Sequence, residues 1–249
     1  MKQNFEREYS VSSRLSVHHS LEYRTRLILP DELDPLCRIN HELLFSRSQF
    51  SASLHAIRER NLSIFEVNAL SFAVVEAKVH DAFVPVGMCS ILPLNRYGES
   101  IYCLTGGLKD IELRGHHIAA PGEWSNAVLI FIVGFTREVR RLLRARPLTA
   151  IANVVFDHGS HVISSMRVRH PERRNVRLLA QTNRSNGGIN SLFQYGGSNT
   201  GIITGDGYLL QELILEVPTQ IPDRDNLSGA FLSSCERITN ARSSADVGA

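Results

Sequence analysis

GEWSNAVLIFIVGFTREVRRLLRARPLTAIANVVFDHGSHVISSMRVRHP occupies residues 122–171. Its reading decides the fold. The run Ala127 to Val133 is continuously apolar, which suits a strand buried on both faces. The same run also fits the first turns of one long helix ending at Arg146. In the strand reading Gly134 ends the strand, and Thr136 caps a helix from Arg137 to Arg146 with Val139, Leu142 and Leu143 inward. Pro147 then stops that helix, and a second strand runs from Leu148 to Phe156. Asp157-His158-Gly159-Ser160-His161 follows at the strand's carboxyl end, where α/β proteins place ligands. Ser160 to Arg169 has helical period and stops before Pro171.

Outward from this unit, residues 22–29 (EYRTRLIL) alternate as a strand. Pro30-Asp31 opens a helix from Glu32 to Phe45, and a second short helix fits Ser53 to Arg60. Phe72 to Val79 and Val84 to Leu94 form an antiparallel hairpin around His80-Asp81-Ala82. Ser100 to Leu104 is a further short strand; Leu108 to Ile118 fits a strand or a short helix equally well. On the other side, Val176 to Gln181 is a strand and Ile189 to Tyr195 a short helix. A closing hairpin turns at Gly205-Asp206-Gly207, between Gly201–Thr204 and Tyr208–Val217. A flexible arm over residues 1–20, one domain over 21–218 and a helix-plus-tail over 219–249 complete the chain.

The 249 residues are 43% apolar and 21% charged, the balance of an ordinary globular domain, so the core needs no disulfide or metal staple. Cys37, Cys89, Cys103 and Cys235 are widely spaced and form no CxxC pair, which points to reduced thiols and a cytoplasmic setting. No apolar run approaches the roughly 20 residues of a membrane helix, and the amino-terminal stretch has no signal-peptide core. Net charge is +2, which excludes strong global steering of an anionic partner.

The order of elements resembles the GNAT superfamily of acyl-CoA-dependent N-acyltransferases. The residues that carry the likeness are IFEVNALSFAVVE (64–76) with VPVGMCSILPL (84–94), similar to that family's early meander, in which a strand bearing "vG" is common. The similarity spans Glu22 to Val217. It implies an α/β (α+β) fold: a mixed, mostly antiparallel sheet with a central βαβ unit flanked by helices. It also implies acyl transfer from acetyl-CoA or another acyl-CoA to an amine, on a small molecule or a macromolecule, with no metal; a homodimer is compatible with it. The family's pyrophosphate loop, R/Q-x-x-G-x-G/A, has no counterpart; the corresponding stretch is Val133-Gly134-Phe135-Thr136-Arg137. Two families with GNAT-like folds also lack this loop. Glu123-Trp124-Ser125 faintly resembles a strand start of the homoserine-lactone synthases, and Val154 to His158 faintly resembles an Asp-ended strand of the phage Mom DNA-modification proteins.

Candidate site residues follow from both lines. Asp157 beside His158 can orient an imidazole base near neutral pH, although helix capping also accounts for Asp157 and Ser160. Glu123 would start the central strand, where the resemblance places a carboxylate base; a solvated loop residue is the alternative. Gly134, Phe135, Thr136 and Arg137 would hold the donor's diphosphate at a helix amino terminus. Tyr195, before Gly196-Gly197, matches the position of the family tyrosine that protonates the departing thiolate, or is a ring packed on the sheet. His158 and His161, with His116, His117 or His170, could instead bind a metal, but no HExxH supports it. Arg140, Arg141 and Arg144, with Arg167, Arg169, Arg173, Arg174 and Arg177, leave nucleic-acid binding or modification as an alternative, as is a non-catalytic binding protein on the same fold.

Overall fold

The computed structural model of the chain describes residues 22–41, 52–79, 81–106, 108–136, 147–182 and 197–216. Seven strands form one sheet in the order β1-β2-β3-β4-β5-β7-β6. They are β1 (Tyr23–Leu27), β2 (Phe72–Val79), β3 (Ala82–Leu94), β4 (Ala127–Phe135), β5 (Asn175–Thr182), β6 (Ser198–Ile203) and β7 (Leu209–Glu216). Every neighbouring pair is antiparallel except β4 and β5, which run parallel. An amino-terminal strand, two helices, an antiparallel meander, a βαβ crossover and a closing hairpin make this a GNAT-like fold.

Helices cover both faces. Helix α1 (Leu33–Asn40) buries Leu33, Leu36, Cys37 and Asn40, and α2 (Leu54–Val67) buries Ile57, Arg60, Asn61 and Ile64. Ser53 caps α2 by accepting from the Ala56 N–H at 3.1 Å. These helices pack on Phe72, Met88, Leu92, Leu129 and Leu179. Helix α3 (Pro147–Arg167) covers the opposite face, setting Val154, Val155, Val162 and Met166 against Val75, Cys89, Ile91, Val128 and Leu178. With layers on both sides, β4 must be apolar on both faces, as AVLIFIVGF is.

The strand expected from Leu148 to Phe156 and the separate helix from Ser160 are in fact one helix, α3. A short apolar run carries no period that separates strand from buried helix. What decides is the stripe Val155, His158, Val162 and Met166, which recurs at helical spacing across the expected boundary and is buried throughout. Pro147 is the first residue of this helix, consistent with a residue whose missing N–H costs nothing at the first helical position. Ser100 to Leu104, expected as a strand, lies in a π-type helical turn, Ser100–Thr105, that continues the short helix Arg96–Glu99. Leu108 to Ile118 resolves into two 3₁₀ turns, at Asp110–Glu112 and Gly115–His117. Helix α2 runs to Val67, beyond the expected Arg60. The expected helices over 137–146 and 189–195, the last turn of the first helix, the terminal arm and the tail lie outside the described residues. Among the described residues, no helix is long and apolar enough to cross a membrane.

Candidate active site at the β4–β5 split

The two parallel strands begin paired and then part. Their register runs Ala127↔Arg177, Val128↔Leu178, Leu129↔Leu179 and Ile130↔Ala180, and stops there. Beyond it β4 continues to Phe135, still paired with β3, while β5 continues to Thr182, still paired with β7. The cause lies in β4. Its register with β3 slips between Ser90 and Ile91, so that Ser90 opposes Ile132, Ile91 opposes Ile130, and Phe131 is an extra residue. A bulge of this kind bends its strand and ends pairing. It also breaks alternation: Ile130 faces the α3 layer, Phe131 and Ile132 both face the α1–α2 layer, and Val133 faces α3 again. The bulge thus leaves a split in the sheet with Phe131 at its edge.

A polar cluster gathers at that edge on the α1–α2 face. Gln181 is the first β5 residue past the last pair with β4. Its Nε2 donates to Asp110 Oδ1 at 2.5 Å and to the Tyr102 hydroxyl, and that hydroxyl in turn donates to Asp110 Oδ1 at 3.3 Å. Asp110 arrives from the 3₁₀ turn and Tyr102 from the π-type turn. The β6–β7 turn fixes Asp110 from below. Asp206 Oδ2 accepts from the Asp110 N–H at 2.5 Å, and the Gly205 N–H donates to Leu108 O at 3.2 Å. Gly205 allows this approach, because a Cβ there would sit 2.8 Å from the Leu108 carbonyl carbon. From α2, the fully buried Arg60 lays its guanidinium 4.6 Å from the centroid of Phe131 and donates to Asn61 Oδ1 at 2.8 and 3.0 Å.

The electrostatics of this cluster suit proton transfer. Burial, with Asp206 adding to it, pushes Asp110 up to about 7, against the opposing pull of Arg60, Tyr102 and Gln181. Burial lowers Arg60 to about 10, with Asp110 opposing, so its side chain stays charged near neutral pH. Burial holds the Tyr102 phenol protonated well above its ordinary value. A carboxyl that titrates near neutrality beside a fixed cation is the arrangement a general base needs.

Of the residues singled out in the sequence, Asp157, His158 and Glu123 lie away from the split. Asp157 and His158 do not follow a strand; they sit inside α3. Asp157 caps nothing. Its Oδ2 accepts from the Thr25 N–H at 2.9 Å and from the Thr25 hydroxyl, and so clamps α3 to β1. Burial drives the His158 imidazole down to about 4, against the Ser71 backbone, so at neutral pH it is an uncharged core group and not a base poised near 7. Glu123 is exposed at the amino-terminal end of β4, the end away from the split, where its Oε2 accepts from the Ala120 N–H at 3.0 Å. Gly134 and Phe135 form the β4 end that extends past the split, and Thr136 follows it: Gly134 opposes Met88, Phe135 opposes Gly87, and the Thr136 N–H donates to Val86 O at 2.8 Å. Arg137 and Tyr195 lie outside the described residues. Among the arginines, Arg167 is buried and Arg177 is paired with Glu99 at 3.2 Å and Glu212 at 2.8 Å. Among the described residues, no three of His, Cys, Asp and Glu come together in a way that could hold a metal ion.

Two signals in the sequence pointed to the cluster. Arg60 and Asn61 occupy the positions of α2 that Ile57 and Ile64 mark as inward, and polar groups on a core stripe call for buried partners. Gln181 follows Leu179 on the same face of β5 by simple alternation. Asp110 gave no such signal, since its segment has no period.

No family model matches the chain, and no curated protein matches it. Solved structures similar to it include the C-terminal condensation domain of Ebony in complex with beta-alanyl-dopamine, 9% identical, covering 79% of this chain and 100% of that one, with a TM-score of 0.46. AAC(6')-Ib in complex with ribostamycin and coenzyme A is 14% identical over 78% of this chain and 93% of that one, with a TM-score of 0.44. An acetyltransferase of the GNAT family from Staphylococcus aureus Mu50 is 9% identical over 78% of this chain and 100% of that one, with a TM-score of 0.42. These likenesses are remote; the fold assignment stands on strand order and on the parallel β4–β5 pair.

Proposed function

We propose that the protein transfers an acyl group from a coenzyme A-type thioester to an amine. The observation that supports this most is the split at Phe131, with a near-neutral carboxyl, Asp110, bonded to the residue that lines its other side. A strand edge freed from its partner offers main-chain N–H and C=O groups to an extended amide-bearing chain, which binds as an added strand. The acyl arm of the donor is such a chain. The β4 edge from Phe131 to Phe135 would receive it, and Gly134, Phe135, Thr136 and Arg137 would lie toward its diphosphate. Main-chain N–H groups at the bulge would polarise the thioester carbonyl.

Asp110 takes the base role in place of Glu123, Asp157 or His158. It accepts the proton that the amine loses as its nitrogen attacks the thioester carbon. The C–N bond forms, the C–S bond breaks, and the thiolate leaves with coenzyme A. Tyr195 remains the proposed donor of the thiolate's proton. The acceptor is an amine of a small molecule or a macromolecule.

A thermal-shift titration with acetyl-CoA and a series of longer acyl-CoAs tests this. A ligand that binds only the folded state raises the apparent melting temperature with concentration. A saturable rise is expected, and its loss on blocking the β4 edge would locate the site. A flat response to every thioester rules out a coenzyme A-type donor.

A further inference from the structure

Gln181 belongs both to the wall of the split and to the immediate surroundings of Asp110. The Arg177 N–H donates to Asn126 O at 2.8 Å, so the peptide groups of Arg177 point toward β4. Strand alternation turns the peptide groups of Gln181 the same way, and this is where β4 ceases to be its partner. The Gln181 side chain meanwhile projects onto the α1–α2 face and donates to Asp110 Oδ1 and to the Tyr102 hydroxyl. One residue therefore touches whatever enters the split through its main chain, and touches the acid through its amide.

We propose that Gln181 is a positioning residue that couples occupancy of the β4–β5 split to the protonation of Asp110. This rests on the acyl-donor function proposed above. A chain received by the β4 edge also meets the Gln181 main chain across the split and would move that residue relative to Asp110. Lengthening the 2.5 Å bond withdraws a donor from the carboxylate. A carboxylate that loses a donor binds its proton more tightly and becomes the stronger base. Asp110 would then be strongest as a base when the donor is in place and weaker when the split is empty. The other groups that face Asp110 are fixed from separate elements: Arg60 from α2, with Arg114 acting on Arg60; Tyr102 from the π-type turn; and Asp206 from the β6–β7 turn. Tyr102 and Asp206 do not stand in the split wall, and Arg60 meets it through the Phe131 ring. Gln181 is the group whose own main chain a ligand there would touch.

The test follows the Asp110 carboxyl directly by carbon-13 NMR titration of the full chain, with its signal assigned by its loss in Asp110→Asn. Coenzyme A, which cannot react, is the probe. In Gln181→Leu without ligand, the midpoint should rise by about one pH unit, the scale of one lost hydrogen bond to a carboxylate. Coenzyme A should raise the wild-type midpoint and leave that of Gln181→Leu where it is. Tyr102→Phe, which removes the other donor and keeps Gln181, should start higher and still respond to coenzyme A. That second variant keeps the test decisive if Gln181→Leu does not fold. The proposal is overturned if Gln181→Leu titrates as wild type does, or if coenzyme A shifts both equally. It is equally overturned if Tyr102→Phe loses its response. Failure of coenzyme A to raise the wild-type melting temperature is a separate result: it removes the acyl donor itself, and the coupling with it.

Discussion

Replacing Asp110 by asparagine should make the protein more stable at neutral and alkaline pH, by an amount that grows with pH in a defined window. The carboxyl is held at about 7 against an ordinary value of 3.8. Below 3.8 both the folded and the unfolded chain carry its proton, so it contributes no pH dependence. Between 3.8 and about 7 the unfolded chain releases the proton and the folded chain keeps it. The folded state then binds more protons, and stability falls as pH rises. Above about 7 the cost is complete. At about 1.4 kcal/mol per pH unit, the full window corresponds to at most about 4 kcal/mol, and partial contact with water reduces it. The Asp110→Asn side chain keeps an oxygen to accept from Gln181 and Tyr102 but has nothing to ionise. Urea unfolding of both proteins at pH 5, 6, 7 and 8 measures the effect, with all other titrating groups cancelling in the difference. The stability gain of the variant should climb by about 2 kcal/mol or more from pH 5 to 7 and then flatten. Parallel stability curves across that range would show that Asp110 titrates normally, and would remove the physical basis for its role as a base. Acyl transfer by Asp110→Asn should fall by about 100-fold or more, the scale of a lost general base.

Both faces of the sheet yield further expectations. Asp157→Ala strands the Thr25 N–H and hydroxyl and should cost about 1–3 kcal/mol in urea unfolding, while the acyl-CoA thermal shift persists; loss of that shift in a folded variant would return Asp157 to the site. His158 has its affinity for a proton lowered from 6.5 to about 4, so the stability it contributes is present above 6.5 and lost as pH falls toward 4. His158→Leu should therefore unfold at lower pH than wild type in an acid titration followed by circular dichroism, and an unchanged acid midpoint would contradict this. A Cβ at Gly87 would collide with Gly134 O and lie 3.1 Å from Phe135 Cα, so Gly87→Ala must push the end of β4 away from β3. It should cost about 1–3 kcal/mol and weaken coenzyme A binding, read by calorimetry; wild-type affinity would place the donor away from the β4 end.

Sequence alone determined β1, β2, β3 and β5 and the closing turn. Alternation marked β1, the turn at His80-Asp81-Ala82 marked the β2–β3 hairpin, and Asp206-Gly207 marked the β6–β7 hairpin, because period and turn chemistry are local properties of the chain. It also offered a strand from Ala127 ending at Gly134 as one of two readings, and the structure settles that choice with a strand over Ala127–Phe135. Sequence could not separate Leu148 to Phe156 from a strand, since apolar residues buried between two layers look alike in either conformation until the next element shows which face is covered. That one difference moved Asp157 and His158 from a ligand-binding strand end into the body of a helix. Only the tertiary structure assembled the Asp110 cluster. Its members come from α2, a π-type turn, a 3₁₀ turn, β5 and the β6–β7 turn, separated by up to 146 residues between Arg60 and Asp206. Neither the bulge at Phe131 nor the affinity of Asp110 for its proton is a local property. The first is a mismatch in count between two strands, and the second is a sum over burial and charges that meet only when the sheet has formed.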